Sequence, residues 1–357
     1  MTVKDVPIID MSAPEDVAAA AVRAAAAGSG FFYVTGHGVS QDLVDEAFTQ
    51  QRALFGLPLE AKMALLQDDN NRGYTPFREE TLDPARQKHG DTKEGFYFGR
   101  EVAADSPEAS KPLHGPNQWP DPVLLPEYRR VTWRYYTELN GLGMRLLRLL
   151  ALSLGLPADH FTPMFSQPLV TLRPLHYAAE VSDPGAGVFG AGAHTDYGML
   201  TILATDDVPG LQIWLPDGSG CGGADQGQGQ GGAQGGAQGG RWHDVAPVSG
   251  AFIINLGDML ERWTNGLYRS TLHRVINTTG RERYSIAFFF EPNFDTVVEV
   301  LPACTGPGNP PRYPPTTSGE HLLAKYAQTH AGYNAADKEQ HQQHAGVAAP
   351  AAAGGRH

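Results

Sequence analysis

The sequence predicts a mainly β protein with flanking helices, in which a β-sandwich or double-sheet jelly roll follows a mostly helical N-terminal region. Three observations support this prediction. Helical apolar patterns predominate in residues 1–155, seven β-rich runs bounded by Gly and Pro follow, and no helical pattern alternates with those runs. The last observation argues against a doubly wound parallel sheet, because such a sheet needs a helix between successive strands.

The composition narrows the classes of partner and compartment. The chain has 357 residues and a formal net charge of −12, and its 27 basic residues form no run and no basic helix face. We therefore expect no nucleic-acid partner.

Cys221 and Cys304 are too few for a disulfide framework or a thiolate zinc site, which indicates a reducing compartment. The chain has no signal-peptide start and no apolar stretch of about 18 residues, so we expect a cytoplasmic protein without a membrane partner. We also expect a monomer.

Three helical patterns lie in the N-terminal region. The first follows Ser12, which is positioned to cap it, with Glu15 as its partner in a capping box and Gly28 at its end. Apolar periodicity predicts a second helix over about 42–66 and a long third helix over about 127–154. After the first helix, the run GFFYVTGHGV predicts a short buried strand that enters a turn.

The β-rich runs define the second part of the chain. They read LVTLRPLHY, MLTIL, GLQIWL, AFIINL, HRVIN, RYSIAFFF and TVVEVL. We therefore divide the chain into an N-terminal region (1–155), a β core (156–330) and a flexible tail (331–357). One segment of the core, residues 218–240, has 12 of the 42 glycines and no aliphatic side chain larger than alanine. Such a segment cannot offset its ordering entropy by burial, so we predict a disordered hairpin insertion.

Candidate metal ligands occur in the stretch GAHTDYGMLTIL. His194 and Asp196 are two residues apart, so in a strand both side chains point to the same face and can share one ion. Such a pair alone is more often an ordinary hydrogen-bonded strand end. His273 opens another β-rich run and can reach the same ion from a neighbouring strand. Two imidazoles and one carboxylate leave three coordination positions open on one side of a cation, as in non-haem Fe(II) oxygenases.

A second polar pair lies on one face of the run RYSIAFFFEPN. Arg283 and Ser285 are two residues apart, and an arginine fork with a neighbouring hydroxyl supplies the donors that a carboxylate needs. The alternative is an exposed strand face with an ion pair. The same parity places Phe289 on the face of Arg283, so we expect it, rather than Phe288 or Phe290, to line a pocket.

Other aromatic and histidine residues are weaker candidates. Tyr74 and Phe98 are the better candidates for a substrate mouth among the aromatic residues before the core, ahead of Phe96 and Tyr97. Aromatic residues at such positions more often pack in a core. Other histidines are not expected to bind metal. His37 lies in a predicted turn, and the following have no partner at ligand spacing: His176, His243 and His321.

Eight ordered motifs carry a resemblance to a known family. They read PIIDMS, GFFYVTGHGV, DTKEGFYFG, AHTDYGMLTIL, GLQIW, INLGDMLERWTNGLYRSTLHRV, RYSIAFFFEPN and PPRYPPTTSGEHLLAKYAQTH. Over most of residues 5–330 the chain resembles the Fe(II)- and 2-oxoglutarate-dependent dioxygenases of the isopenicillin N synthase-like class. The number and order of the motifs make this resemblance specific.

The resemblance implies a fold, a metal site and a reaction. The implied core is a double-stranded β-helix, with iron on His194, Asp196 and His273. The implied cofactor is Fe(II), the co-substrates are 2-oxoglutarate and O2, and ascorbate is expected to support activity. The implied reaction couples oxidative decarboxylation of 2-oxoglutarate to the oxidation, typically hydroxylation, of a small organic molecule.

The resemblance also implies a co-substrate site. Arg283 and Ser285 would bind the distal carboxylate of 2-oxoglutarate, and Tyr177, in RPLHY, falls where similar enzymes place a co-substrate-binding tyrosine. Many plant members have Asn two residues before this tyrosine and Pro after it, where this chain has Leu175 and Ala178. We therefore expect different contacts near the metal-binding end of the co-substrate.

Four other functions stay open from the sequence. An oxidase similar to isopenicillin N synthase would keep the metal ligands but take its electrons from the substrate. An ethylene-forming enzyme is a second alternative, because HGPNQWP, AHTDYG and FEPNF resemble that group. A zinc hydrolase would also suit two histidines and a carboxylate, although no glutamate general base lies in a ligand-spaced helix motif. A non-catalytic binding module is the fourth, and intact metal ligands argue against it.

Overall fold

The structure, a computed structural model, describes residues 6–217 and 239–329. Its helices are α1 (Glu15–Ala27), α2 (Gln41–Phe55), α3 (Leu59–Met63), α4 (Tyr128–Ser153), α5 (Asp258–Trp263) and α6 (Ser318–Thr329). Its strands are β1 (Ile8–Asp10), β2 (Phe31–Thr35), β3 (Gly73–Thr75), β4 (Lys93–Gly99), β5 (Leu169–Tyr177), β6 (Ala191–His194), β7 (Leu200–Thr205), β8 (Leu211–Pro216), β9 (Gly240–Asp244), β10 (Phe252–Leu256), β11 (His273–Val275), β12 (Arg283–Glu291), β13 (Val297–Val298) and β14 (Thr316–Thr317). The predicted tail, and the predicted insertion apart from its last two residues, lie outside the described residues.

Two sheets packed against each other form the core. The larger sheet has eight strands in the order β1-β2-β10-β7-β12-β5-β4-β3, and the smaller has four in the order β6-β11-β8-β9. Neighbouring strands in both sheets are antiparallel, apart from the parallel pair β1–β2. The predicted jelly-roll core with flanking helices is therefore confirmed. In the described part of the chain, no helix is long and apolar enough to cross a membrane.

Alternation along the strands explains why the larger sheet is buried on both faces. In β2, Phe32 and Val34 belong to the core that packs against α1, α2 and α4. Phe31 and Tyr33 belong to a second core, which lies between the two sheets. Because successive side chains of a strand point to opposite faces, burial of both faces needs a continuous apolar run such as FFYV.

The N-terminal region contributes more β structure than its helical patterns indicate. β2 pairs with β10, and β4 pairs with β5, so residues before position 155 complete the larger sheet at both of its edges. A three-residue strand such as β3 is too short to show any periodicity in sequence. Its backbone hydrogen bonds come from its pairing with β4, which no pattern in its own sequence predicts.

Two details of the predicted helices are wrong. The pattern over 42–66 forms two helices, α2 and α3, because Pro58 cannot donate a backbone hydrogen bond and disfavours helical geometry in the residue before it. Ser12 does not cap α1, because its Oγ donates to Asp10 Oδ1 (2.6 Å) and no side chain caps that helix. The long helix predicted over 127–154 is confirmed as α4.

The two ends of the glycine-rich segment lie side by side. Pro216, at the end of β8, is paired with Gly240, at the start of β9. The N–H of Asp217 donates to the carbonyl oxygen of Gly239 (3.0 Å). The chain between these positions can therefore be shortened without moving either strand.

Replacing residues 218–238 with a four-residue Gly-containing turn should leave fold and turnover intact. Each halving of a flexible loop saves about 0.6 kcal/mol of closure entropy, so we expect the free energy of unfolding to change by only about 1–2 kcal/mol. Thermal unfolding and substrate turnover are the measurements. A folded variant that loses most of its activity would instead identify the segment as a lid.

Candidate active site

The three predicted metal ligands come together at the end of the smaller sheet. His194 ends β6, His273 begins β11, and the two residues are directly opposite each other in this antiparallel pair. Their ring centroids are 4.3 Å apart. Oδ1 of Asp196 lies 3.9 Å from Nε2 of His194 and 3.6 Å from Nε2 of His273. Strand pairing thus makes one cluster of residues that are far apart in the sequence.

Each histidine is oriented by a backbone carbonyl group two residues before it. Nδ1 of His194 lies 2.8 Å from the Gly192 oxygen, and Nδ1 of His273 lies 3.0 Å from the Thr271 oxygen. A carbonyl oxygen only accepts, so Nδ1 donates a proton and the Nε2 lone pair is left to bind a cation. Burial, with the nearby His273, lowers the pKa of His194 and so favours the neutral imidazole that a metal needs.

Asp196 is held by two hydrogen bonds to one of its oxygens. Thr201 Oγ1 in β7 and Asn255 Nδ2 in β10 each donate to Asp196 Oδ2, at a distance of 2.5 Å. Thr201 and Asn255 are cross-strand partners, so the larger sheet orients the carboxylate and leaves Oδ1 toward the histidines. Burial opposes ionisation of Asp196, but the two histidines and these hydrogen bonds outweigh it and lower its pKa. The ionised form is therefore favoured.

The donor set fits Fe(II). One ligand atom from each of the three residues lies within 4.8 Å of the others, and this is the single cluster of this kind in residues 6–217 and 239–329. Two imidazole nitrogens and one carboxylate oxygen are the donors that non-haem Fe(II) sites use. The ring nitrogens of other histidines bond elsewhere: those of His37, His176 and His321 lie against Gly250, Glu94 and Tyr197.

Arg283 and Ser285 are both buried, and Arg283 lies beside Tyr177. Arg283 is paired with Tyr177 across β12 and β5, and its guanidinium carbon lies 4.9 Å from the centroid of the tyrosine ring. Arg283 is only 2% exposed, and its Nε donates to the Val208 carbonyl oxygen (3.2 Å). Nη1 of Arg283 and Oγ of Ser285 are buried and have no hydrogen-bond partner among the described residues. Buried donors left unpaired cost free energy, so this pair fits a carboxylate ligand.

A cavity that opens to solvent adjoins the metal cluster. His194 and Asp196 form part of its wall, and Phe289 lines it. Phe288 and Phe290 pack instead in the core against the helices, as the strand parity predicts.

The prediction for the aromatic residues before the core is wrong. Tyr97 lines the cavity, whereas Tyr74, Phe96 and Phe98 pack in the core. Alternation along β4 turns Tyr97 to one face and its two phenylalanine neighbours to the other. Tyr74 is paired with Phe96 and shares its face.

A buried charge network on the cavity wall was missed by sequence reasoning. Glu80 and Arg173 line the cavity and form an ion pair of 2.9 Å. Lys93 bonds to Glu80 (2.6 Å) and to Asp91, so two buried cations face two buried carboxylates. Arg173 lies four residues before Tyr177 in β5, so both side chains point to the same face of the strand, and this alternation could have identified Arg173 as a site residue. Glu80 lies outside any strand or helix and has no periodic signal.

Glu291 is a second cavity residue that sequence reasoning missed. It ends β12 and continues the row of positions that begins with Arg283 and Ser285. Its side chain lines the same cavity as Phe289, and the whole residue is only 5% exposed. Extending the parity of the strand by one more step, from 289 to 291, would have identified it.

Comparisons with known proteins identify two matching family models. Residues 6–122 match the model described as non-haem dioxygenase in morphine synthesis N-terminal. Residues 169–292 match the model of the 2OG-Fe(II) oxygenase superfamily. The second match spans the candidate metal ligands and the Arg283–Ser285 pair.

Similar proteins cover nearly the whole chain. It is 37% identical to azadirone synthase LFS of Melia azedarach, over 92% of this chain and 94% of the relative. It is 38% identical to the 2-oxoglutarate-Fe(II) type oxidoreductase hxnY of Emericella nidulans, over 89% of this chain and 86% of the relative. The fold is similar to that of a full-length Neurospora crassa protein in complex with alpha-KG, with a TM-score of 0.75, 26% identity, and coverage of 90% and 96% of the two chains.

Removing one hydrogen bond to Asp196 should weaken metal binding without unfolding the protein. Thr201→Val keeps the side-chain shape but deletes a donor to Oδ2, and loss of such an orienting bond typically costs about 10- to 100-fold in metal affinity. Calorimetric titration with Mn(II) or Fe(II) measures the change. Thr137→Val, on the exposed face of α4, is the matched control. Equal affinity in both variants would show that Thr201 does not position the carboxylate.

Proposed function

The chain belongs to the 2OG-Fe(II) oxygenase superfamily, and from that membership we propose which residues hold its metal and its co-substrate. It is an Fe(II)- and 2-oxoglutarate-dependent dioxygenase that acts on a small molecule. When bound, Fe(II) supplies the redox chemistry that couples decarboxylation of 2-oxoglutarate by O2 to oxidation of that molecule. The protein supplies the ligands, the orientation and the exclusion of water.

His194, Asp196 and His273 are the residues that we propose to hold Fe(II). The support is the donor set, the 4.8 Å limit on the distances between the ligand atoms, and the two backbone carbonyls that direct the lone pairs of the histidines. Thr201 and Asn255 act through Asp196 by fixing its orientation. Three protein ligands leave positions open for co-substrate and O2.

Arg283, Ser285 and Tyr177 form the proposed site for 2-oxoglutarate. The observation that carries this proposal is the pair of unpartnered buried atoms, Arg283 Nη1 and Ser285 Oγ. A distal carboxylate would satisfy both, because it accepts a charge-assisted bond from the guanidinium and a second bond from the hydroxyl. The ring of Tyr177 lies beside the guanidinium, with its centroid 4.9 Å from the guanidinium carbon.

The cavity beside the metal cluster is the proposed place for the primary substrate. His194 and Asp196 lie in its wall, so a molecule held there has part of its surface against the metal site. Phe289 and Tyr97 supply apolar contact area that orients the substrate and displaces water. Hydroxylation of the substrate is the outcome that we propose.

The alternative functions differ in how they use these residues. A zinc hydrolase has no need of a buried arginine with an unpartnered nitrogen. An oxidase that draws its electrons from the substrate can keep the Arg283–Ser285 pair, so succinate release linked to turnover is what separates it from the proposed dioxygenase. Ethylene formation would use the same metal and co-substrate residues, and only product analysis separates it from hydroxylation. The cytoplasmic location and the monomeric state stay predictions from the sequence.

Arg283→Gln should weaken 2-oxoglutarate binding while metal binding persists. The substitution deletes a buried charge-assisted pair, whose loss costs roughly 2–5 kcal/mol. The affinity for 2-oxoglutarate should then fall by about 30-fold or more, at roughly 1.4 kcal/mol per decade. Arg283→Lys should recover part of it, since lysine keeps the charge and loses the fork. The measurement is a titration of the anaerobic Fe(II) protein with 2-oxoglutarate, followed by visible absorption.

An exposed arginine provides the control for this titration. Arg281→Gln changes a residue two positions earlier that pairs with Asp207 at the surface, and it should titrate like the unaltered protein. If Arg283→Gln also titrates like the unaltered protein, the carboxylate is bound elsewhere.

A metabolite screen should find compounds that stimulate 2-oxoglutarate consumption in the presence of Fe(II) and ascorbate. For a true substrate we expect succinate to form in proportion to the oxidised product. Product formed without succinate would identify the oxidase alternative, and ethylene release would identify the ethylene-forming one.

A further inference from the structure

We propose that the primary substrate carries a basic nitrogen, protonated at neutral pH, and that the Glu291 carboxylate binds it inside the cavity beside the metal cluster. This inference rests on the proposed function, because it assumes that the cavity is the substrate site. It adds the chemical class of the substrate and the residue that selects it.

The position of Glu291 is built into the fold. The residue lies at the end of β12, opposite Leu169 of β5, and Oε2 accepts a hydrogen bond from the N–H of Met199 (2.6 Å). A Cβ atom at position 198 would overlap the carboxylate, so Gly198 leaves the space that the carboxylate occupies. Gly198 itself follows Asp196 by two residues. Glu291 is therefore a defined group on the cavity wall close to the metal cluster.

No cation of the described residues forms an ion pair with Glu291. The cations of the cavity wall have other partners: Arg173 pairs with Glu80, Arg100 pairs with Glu108, and Arg72 donates to the backbone carbonyls of residues 70, 71 and 113. The contrast with Glu80 is direct, because that carboxylate receives two cations from the protein. No cation of the described residues is therefore placed to balance an ionised Glu291.

The cost of this arrangement points to a ligand. A buried carboxylate without a cation is costly, and burial first, and then the charge of Asp196, raises the pKa of Glu291 to about 8. Without a cation beside it the protonated form of Glu291 is therefore favoured at neutral pH, and a bound cation would favour the ionised form. One backbone hydrogen bond does not offset that cost. A protonated amine or amidine in the cavity would supply both the missing charge and the missing donors.

The surroundings favour a cation over an anion. A negatively charged substrate group at this position would face Glu291 and Asp196 together, and like charges at close range repel. Phe289 and Tyr326 line the same cavity, and aromatic rings attract an alkylammonium group through their faces. A carboxylate with neighbouring aromatic rings is the usual chemistry for binding a basic nitrogen.

The test is a binding screen on the anaerobic Fe(II)·2-oxoglutarate protein with matched pairs of amines and alcohols. The pairs are 2-phenylethylamine and 2-phenylethanol, cyclohexylamine and cyclohexanol, and hexylamine and hexan-1-ol, followed by a wider panel of primary amines, secondary amines and amidines with their hydroxyl counterparts. Binding is read from ligand-observed NMR and from the perturbation of the visible absorption band. We expect the compounds that bind to be predominantly the cationic members.

Three variants make the result specific. Glu291→Gln keeps an acceptor for the Met199 N–H but removes the charge, so the affinity for the cationic compounds should fall by about 10-fold or more. Glu291→Asp keeps the charge on a shorter stem and should retain part of the preference for cations. Glu299→Gln, at an exposed position directly after β13, is the matched control and should bind like the unaltered protein.

The outcomes separate this proposal from the proposed function. Preference for the alcohols, binding of no cationic member, or equal binding of the amines by the unaltered and Glu291→Gln proteins overturns the role of Glu291. The absorption band with 2-oxoglutarate is the internal check, because it should form in the Glu291→Gln protein. A band that does not form in the unaltered protein overturns the proposed function instead.

Discussion

The antiparallel register of β6 and β11 is the constraint on which the rest of the site depends. It sets His194 directly opposite His273, at a centroid distance that lets both rings present Nε2 to one point. Asp196 reaches that point only because the chain leaves β6 immediately after His194. A slip of one residue in this pairing would turn one histidine to the opposite face of the sheet and disperse the cluster.

One strand of the larger sheet, β12, carries residues of both the proposed co-substrate site and the cavity wall. Positions of one parity along β12 carry Arg283 and Ser285, at the proposed co-substrate site, and Phe289 and Glu291, on the cavity wall. The residues between them pack against the helices. Because both sets lie on one rigid strand, the distance between the proposed co-substrate site and the proposed substrate site does not depend on flexible loops.

The buried charged residues around the cavity fall into two groups, those with an ion-pair partner and those without one. In the network of Asp91, Lys93, Glu80 and Arg173 every charge has an opposite charge as neighbour, so this part of the wall is balanced before any ligand arrives. Arg283 and Glu291 are buried and form no ion pair with another described residue, although Asp206 lies near enough to interact with the charge of Arg283. Unbalanced buried charges cost stability, and the two sites that carry them are the ones where ligands of opposite charge are proposed to bind.

The sequence by itself determined the β core, the long helix α4 and the candidate residues at 194, 196, 273, 283 and 285, because strand parity and residue chemistry are local properties. It also placed Phe289 on the cavity side and its neighbours in the core. Only the tertiary structure decided that β1 to β4 join the larger sheet, that Tyr97 and not Tyr74 lines the cavity, and that Glu291 has no cation beside it. The physical reason is that strand pairing and charge compensation join residues distant in sequence, and no local pattern records which distant residue becomes the neighbour.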